Sequence, residues 1–185
     1  MGLGDRFIFP MAMMAVFLTA VQAGPLTNGA SMTLQITTTS FTPGQPIPDR
    51  YAYEHGDVSP ALQWSGVPSA AKSLALICED PDAPMGTYTH WVIYDLPPAS
   101  SGLAEGVAKS PEVLNGAKQG MNDYKKIGYG GPCPPPGKPH RYFFKLYALD
   151  AKPDLKPGIS KKELLKAMKG RILAEAELMG TYQAK

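Results

Sequence analysis

Between Ser73 and Tyr94 the chain reads SLALICEDPDAPMGTYTHWVIY: two short apolar runs, Ser73–Cys78 and Trp91–Tyr94, on either side of a stiff polar loop. Short apolar runs closed off by proline and glycine read as buried strands. Pro81 has no N–H and a fixed φ, so Asp80 is expected at a rigid strand end and not inside a ladder. A carboxylate placed there is held before any ligand arrives. The loop also carries Asp82 and Pro84 and ends at His90. A second stretch of the same character, Gly128–Tyr142 (GYGGPCPPPGKPHRY), carries His140 and runs into the apolar segment Tyr142–Leu149. Two rigid loops, each bearing a histidine, are thus expected to meet over one end of a β-sheet.

The rest of the chain is consistent with that picture. Met32–Ser40 (MTLQITTTS) alternates and is rich in β-branched residues, which predicts a first strand. Phe41–Pro48 is a turn region, Arg50–Pro60 an irregular loop, and Ala61–Trp64 a brief strand. Leu96 to Asp123 shows no periodicity and predicts a long connection without secondary structure of its own. Tyr142–Leu149 (YFFKLYAL) is apolar on both faces, as an interior strand would be. Ser160 followed by Glu163 forms a capping-box pattern that opens a helix running to about Lys169. For Arg171–Tyr182, residue propensities favour helix while Ala174, Ala176, Leu178 and Gly180 alternate as in a strand, and the pattern alone does not decide.

The chain has 185 residues, enough for one domain with a real core, and its 19 glycines and 19 prolines suit a loop-rich β protein. A net charge of +2 provides no field that would hold nucleic acid or a membrane surface. At the start, Arg6 precedes the apolar run Phe7–Val21, and Ala23 stands before Gly24. This is the pattern of a secretory signal peptide over residues 1–23, leaving a single domain over 24–185, periplasmic or secreted and without a stable membrane anchor once cleaved. An oxidising compartment permits a bridge between Cys78 and Cys133, although a buried thiol at a strand end is the preferred reading.

Two imidazoles beside a fixed carboxylate can bind an anion, hold a metal or perform acid/base chemistry. His90 and His140 have no HxxxH, HExxH or Cys-His spacing, which speaks against a metal. No GxSxG elbow, P-loop or dinucleotide fingerprint occurs, so neither a serine nucleophile nor a nucleotide cofactor is expected. His55 sits in a polar loop and reads as structural. Gly128, Gly130 and Gly131 offer backbone N–H groups for an anion-binding concavity. Anion binding therefore needs the fewest further parts, and the expectation is a non-enzymatic protein with a small anionic ligand. Two alternatives are an inhibitor that docks a protease or kinase through the stiff GPCPPPGKP segment, and, lower in rank, an acid/base hydrolase.

These residues resemble the phosphatidylethanolamine-binding protein family, in particular its bacterial Raf-kinase-inhibitor-like branch. The matching pieces are DPDAP (80–84), His90-Trp91 and GGPCPPPGKPHRY (130–142), supported by DVSPALQW (57–64) and GTYQ (180–183). The likeness extends from about Met32 to Gln183. It implies a mainly β, antiparallel sandwich-like fold, with a large sheet, a smaller sheet and peripheral helices, and it makes Arg171–Tyr182 a strand. It also implies a small pocket for phosphate-like anions, including the phosphorylethanolamine head group. Carried over, the pocket residues are Asp80, Ala83, Pro84 and His90 from the first loop, Gly131, His140 and Tyr142 from the second, and Tyr182 near the C terminus. The long C-terminal helix of the animal proteins has no counterpart, so kinase regulation is not carried over. A homodimer is compatible with the sequence. Asp80 is expected to accept a hydrogen bond from an imidazole and fix its tautomer, or else to meet a cationic ligand group such as ethanolamine.

Overall fold

The structure is a computed structural model that describes residues 1–2, 33–113 and 116–184, so the expected signal peptide lies outside the described residues beyond Gly2. The elements are β1 (Gln35–Thr37), β2 (Leu62–Ser65), β3 (Ser73–Asp80), β4 (Tyr88–Leu96), β5 (Gly102–Leu103), β6 (Glu112–Val113), β7 (Ala117–Gln119), β8 (His140–Leu149), α1 (Lys161–Met168) and β9 (Ile172–Tyr182). They form two antiparallel sheets, a small one in the order β1-β2-β5 and a large one in the order β6-β7-β4-β3-β8-β9.

Successive residues of a strand point to opposite faces, and the central strands are buried on both. From β3, Leu74, Leu76 and Cys78 join the main core, where they meet Trp91 and Ile93 of β4, Phe144 and Leu146 of β8, and Ile36 and Trp64 of the small sheet. Ala75 and Ile77 face the other way, into a second cluster with Val92, Tyr94, Leu149 and the helix residues Leu164 and Met168. This two-sided burial explains why β3 reads as a continuous apolar run. The helix begins with the expected capping box: Ser160 Oγ accepts from the Glu163 N–H while the Glu163 carboxylate accepts from the Ser160 N–H. Its buried residues, Leu164 and Met168, lie one turn apart on the face that meets the sheet.

The ambiguous C-terminal segment is a strand. Gly170, at φ +73°, turns the chain sharply after the helix, and Ile172–Tyr182 then pairs along the whole of β8, from Leu149↔Ile172 to His140↔Tyr182. Helical propensity loses here because β8 would otherwise expose its ladder groups, and because alternate residues Leu178, Gly180 and Tyr182 are buried.

Three expectations need correction. The described first strand is only Gln35–Thr37, and a 3₁₀ turn, Asp49–Tyr51, interrupts the loop expected over 50–60. The connection after Leu96 contains β5, β6 and β7. It is secured by one buried side chain. Gln119 Nε2 donates to the carbonyls of Ala108 and Ser110, at 2.7 and 2.8 Å, while its Oε1 accepts from Trp91 Nε1 at 2.7 Å. Long-range side-chain bonds of this kind leave no periodic trace in the sequence.

Candidate ligand-binding site

Antiparallel pairing brings the C-terminal end of β3 together with the N-terminal ends of β4 and β8. Asp80 lies opposite Tyr88, and Glu79 lies opposite Phe143. At that end a hollow of about 630 Å³ opens. Asp80, His90, His140 and Tyr142 form its polar inner part, and Tyr88 and Tyr124 stand along one wall. The segments Ala83–Gly86 and Cys133–Pro136 make its two lips, with Glu54 on the rim. Among the described residues neither lysine nor arginine lines it.

Both imidazoles are held by their Nδ1 atoms. His90 Nδ1 is 2.7 Å from the Gly130 carbonyl oxygen and 3.1 Å from that of Gly131. A carbonyl only accepts, so Nδ1 carries the proton and Nε2 carries the lone pair of the neutral ring. Burial lowers the pKa of His90, outweighing the two carbonyl contacts and the nearby Asp80 and Asp123, which act in the opposite direction. The ring is wedged among Tyr142, Tyr88 and Tyr124, with centroids 5.1, 5.2 and 5.7 Å away. His140 Nδ1 lies 2.7 Å from Asp80 Oδ2, and the other carboxylate oxygen of Asp80 accepts the Asp82 N–H at 2.8 Å. Buried Asp80 therefore orients His140 and has no oxygen without a partner. A cationic ligand group would have to displace one of these bonds to reach it.

The loop that carries these groups is clamped. The backbone N–H, Nε and Nη2 of Arg141 donate to the Asp82 carboxylate at 2.9, 2.8 and 2.7 Å. The Arg141 hydrogen bonds lower the pKa of Asp82 to about 2. Deeper in, the Tyr142 hydroxyl is buried and has no hydrogen-bond partner among the described residues, although its residue lines the hollow. Burial raises its pKa far above the usual phenol value, so it remains a protonated donor.

The glycines do other work than expected. The Gly131 N–H donates to Asp57 Oδ1 at 2.8 Å, that of Gly130 to the His90 carbonyl at 2.9 Å, and that of Gly128 to the Gly120 carbonyl at 3.3 Å. No anion-binding concavity is formed by these three amides. Gly131 instead sits behind His90, and glycine is required because a Cβ there would lie 2.2 Å from the Tyr51 carbonyl oxygen. Tyr182 is also displaced from the expected set. Its hydroxyl donates to Asp49 Oδ1 at 3.2 Å, and it lines a separate hollow with Pro46, Ile47 and Pro139. Asp80, Ala83, Pro84, His90, His140 and Tyr142 all share the main hollow.

Both cysteines are free thiols: Cys78 is buried in the core, while Cys133 is exposed at a lip. His55 is exposed and lies outside the site. Among the described residues no group of three or more His, Cys, Asp or Glu side chains is arranged to hold a metal ion. Sequence reasoning missed Tyr88, Tyr124, Glu54 and Met85. Tyr88 and Met85 lie inside the loop already singled out, whereas Tyr124 and Glu54 come from segments with no distinguishing pattern.

Comparison with known proteins bears on the family and the fold. A family model described as phosphatidylethanolamine-binding protein matches residues 37–183. A "UPF0098 protein" of Methanothermobacter thermautotrophicus is 51% identical over 150 residues, covering 81% of this chain and 99% of that protein. Among solved structures, a putative phosphatidylethanolamine-binding protein homolog, CT736 of Chlamydia trachomatis, superposes with a TM-score of 0.76 at 45% identity, covering 84% of this chain and 100% of that one. E. coli YbcL, a member of the mammalian PEBP family, gives a TM-score of 0.78 at 33% identity, covering 82% and 99%.

Proposed function

The chain belongs to the phosphatidylethanolamine-binding protein family, and from that premise we propose that it is an exported binding protein whose hollow takes a phosphate or phosphorylated small ligand. The observation that carries this reading is the set of committed and uncommitted atoms. Each imidazole spends Nδ1 on the protein, at 2.7 Å in both cases, so what either ring offers to the hollow is Nε2. The Tyr142 hydroxyl, buried behind the lining, has no hydrogen-bond partner among the described residues. A tetrahedral oxyanion with one proton of its own matches these groups: it accepts from the phenol and donates to, or protonates, an imidazole.

The described residues that line the hollow include no lysine or arginine, which sets a condition on binding. With carboxylates at Asp80 and Glu54 and a neutral His90, a phosphate dianion enters only with proton uptake. Affinity therefore strengthens as pH falls toward the titration of His90, whose pKa burial lowers. The test is an NMR titration with inorganic phosphate and with phosphorylethanolamine, following the ring signals of His90 and His140. Saturable shifts in both rings, stronger at about pH 6 than at about pH 8, are expected. Rings that do not respond to either compound overturn the proposal. The expected leader peptide over residues 1–23 is the ground for placing the protein outside the cytoplasm, and the N terminus of the purified exported protein checks it.

A further inference from the structure

The hollow is larger and more apolar than a phosphoryl group requires. At about 630 Å³ it lies in the range of clefts that enclose a whole drug-sized molecule. The phosphoryl-complementary atoms occupy only its inner end. The remainder lies between two apolar lips: Ala83, Pro84 and Met85 on one side, Pro134, Pro135 and Pro136 on the other. Prolines have almost no side-chain freedom to lose when a ligand settles on them. Met85 is fully exposed, at 101% of its reference surface, and its unbranched thioether can fold over whatever enters. The wall beside the lips is aromatic, with Tyr88 packed edge-on against Tyr124 at 5.1 Å. The one acidic group on the rim, Glu54, is exposed and receives the thiol hydrogen bond of Cys133, so its pull on a distant ammonium is weakened by solvent.

We propose that the preferred ligands are phosphomonoesters with a compact, uncharged apolar substituent, alkyl or aryl, which lies between the lips while the phosphoryl group occupies the inner end. This rests on the phosphoryl reading above and narrows it. A charged aminoethyl arm would exchange good hydration for contacts with proline and methionine carbon, and gains less than the shorter, uncharged ethyl group.

Calorimetric titration at one pH with inorganic phosphate, methyl, ethyl, butyl and phenyl phosphate, and phosphorylethanolamine tests the proposal. Affinity is expected to rise about three- to fourfold for each buried methylene. Ethyl phosphate should bind more tightly than phosphorylethanolamine. Met85→Ser, at a fully exposed position, should weaken butyl and phenyl phosphate severalfold more than it weakens inorganic phosphate, and equal weakening of all three would count against the lip's role. If inorganic phosphate shifts both imidazoles but affinity is flat across the series, or phosphorylethanolamine is the tightest ligand, this inference falls and the phosphoryl reading stands. If no phosphate compound binds while benzyl alcohol perturbs the Met85 methyl signal, the phosphoryl reading falls, and the ligand class proposed here falls with it.

Discussion

Replacing Tyr142 by phenylalanine separates stability from binding. The hydroxyl is buried without a partner, and an unsatisfied buried polar group costs about 1–3 kcal/mol. The ring itself stays in place, edge-on to His90 at 5.1 Å, so the substitution removes one oxygen from an otherwise packed environment. Taking about 1–2 kcal/mol for the gain, and a domain of this size, the free protein should melt about 3–6 °C higher. Ligand binding moves the other way. A hydrogen bond to a charged group is worth about 1.5–3 kcal/mol, so affinity for phosphate should fall about tenfold or more. At a ligand concentration 100 times the wild-type Kd, the wild type gains about 2.7 kcal/mol from binding, whereas a variant with tenfold weaker affinity gains about half of that. Calorimetric melting with and without phosphate reads both effects in one series. A Tyr142→Phe protein that melts at or below the wild type without ligand would refute the reasoning, since the hydroxyl must then already be satisfied.

Three further outcomes follow from the same structure. Because burial lowers the pKa of His90, the unfolded chain takes up its proton first; the stability this residue contributes is complete above about pH 6.5 and is lost as pH falls toward the folded value. Urea unfolding at successive pH values should show that loss, and His90→Gln, which cannot titrate, should flatten it; an unchanged slope would count against it. Gly131→Ala pushes a Cβ to within 2.2 Å of the Tyr51 carbonyl oxygen and 2.6 Å of the Tyr53 nitrogen, so a loss of about 3 kcal/mol is expected by chemical denaturation. In the native, unreduced protein, a neutral thiol reagent should label Cys133 and spare Cys78 until the chain is unfolded; a peptide joined through both cysteines would contradict the free thiols seen here.

Much of this site was legible because its chemistry is local. The order Asp80-Pro81 announces a carboxylate at a strand end, and β3 does end at Asp80. The histidines each precede an apolar run, and both rings line one hollow because antiparallel register aligns the starts of β4 and β8 with the end of β3. What stayed hidden depends on distant partners. The glycine amides suggested an anion cradle, but whether an N–H is available depends on Asp57, Gly120 and the His90 carbonyl, and nothing in GYGG reveals them. Tyr182 is the cross-strand partner of His140, yet its hydroxyl donates to Asp49 and it lines a separate hollow with Pro46, Ile47 and Pro139, contacts that the GTYQ motif does not reveal. Tyr124 enters through the connection stapled by Gln119, where no periodicity marked a functional residue.

The commitments that hide in the sequence are also what give the site its character. A histidine whose Nδ1 faced solvent could turn its ring and present a donor to an anion without changing charge. Here both Nδ1 atoms are held at 2.7 Å by acceptors, one a carbonyl and one a carboxylate, and the rings cannot exchange roles. The Asp82–Arg141 clamp fixes the loop that supplies Asp80, which in turn fixes His140. If the hollow takes the ligands proposed above, rigidity at the inner end would turn recognition of an anion into recognition of an anion together with a proton, while adaptability would be confined to the exposed lip at Met85. Selectivity for charge and selectivity for the apolar substituent would then reside in different parts of one hollow, and substitutions at one should leave the other in place.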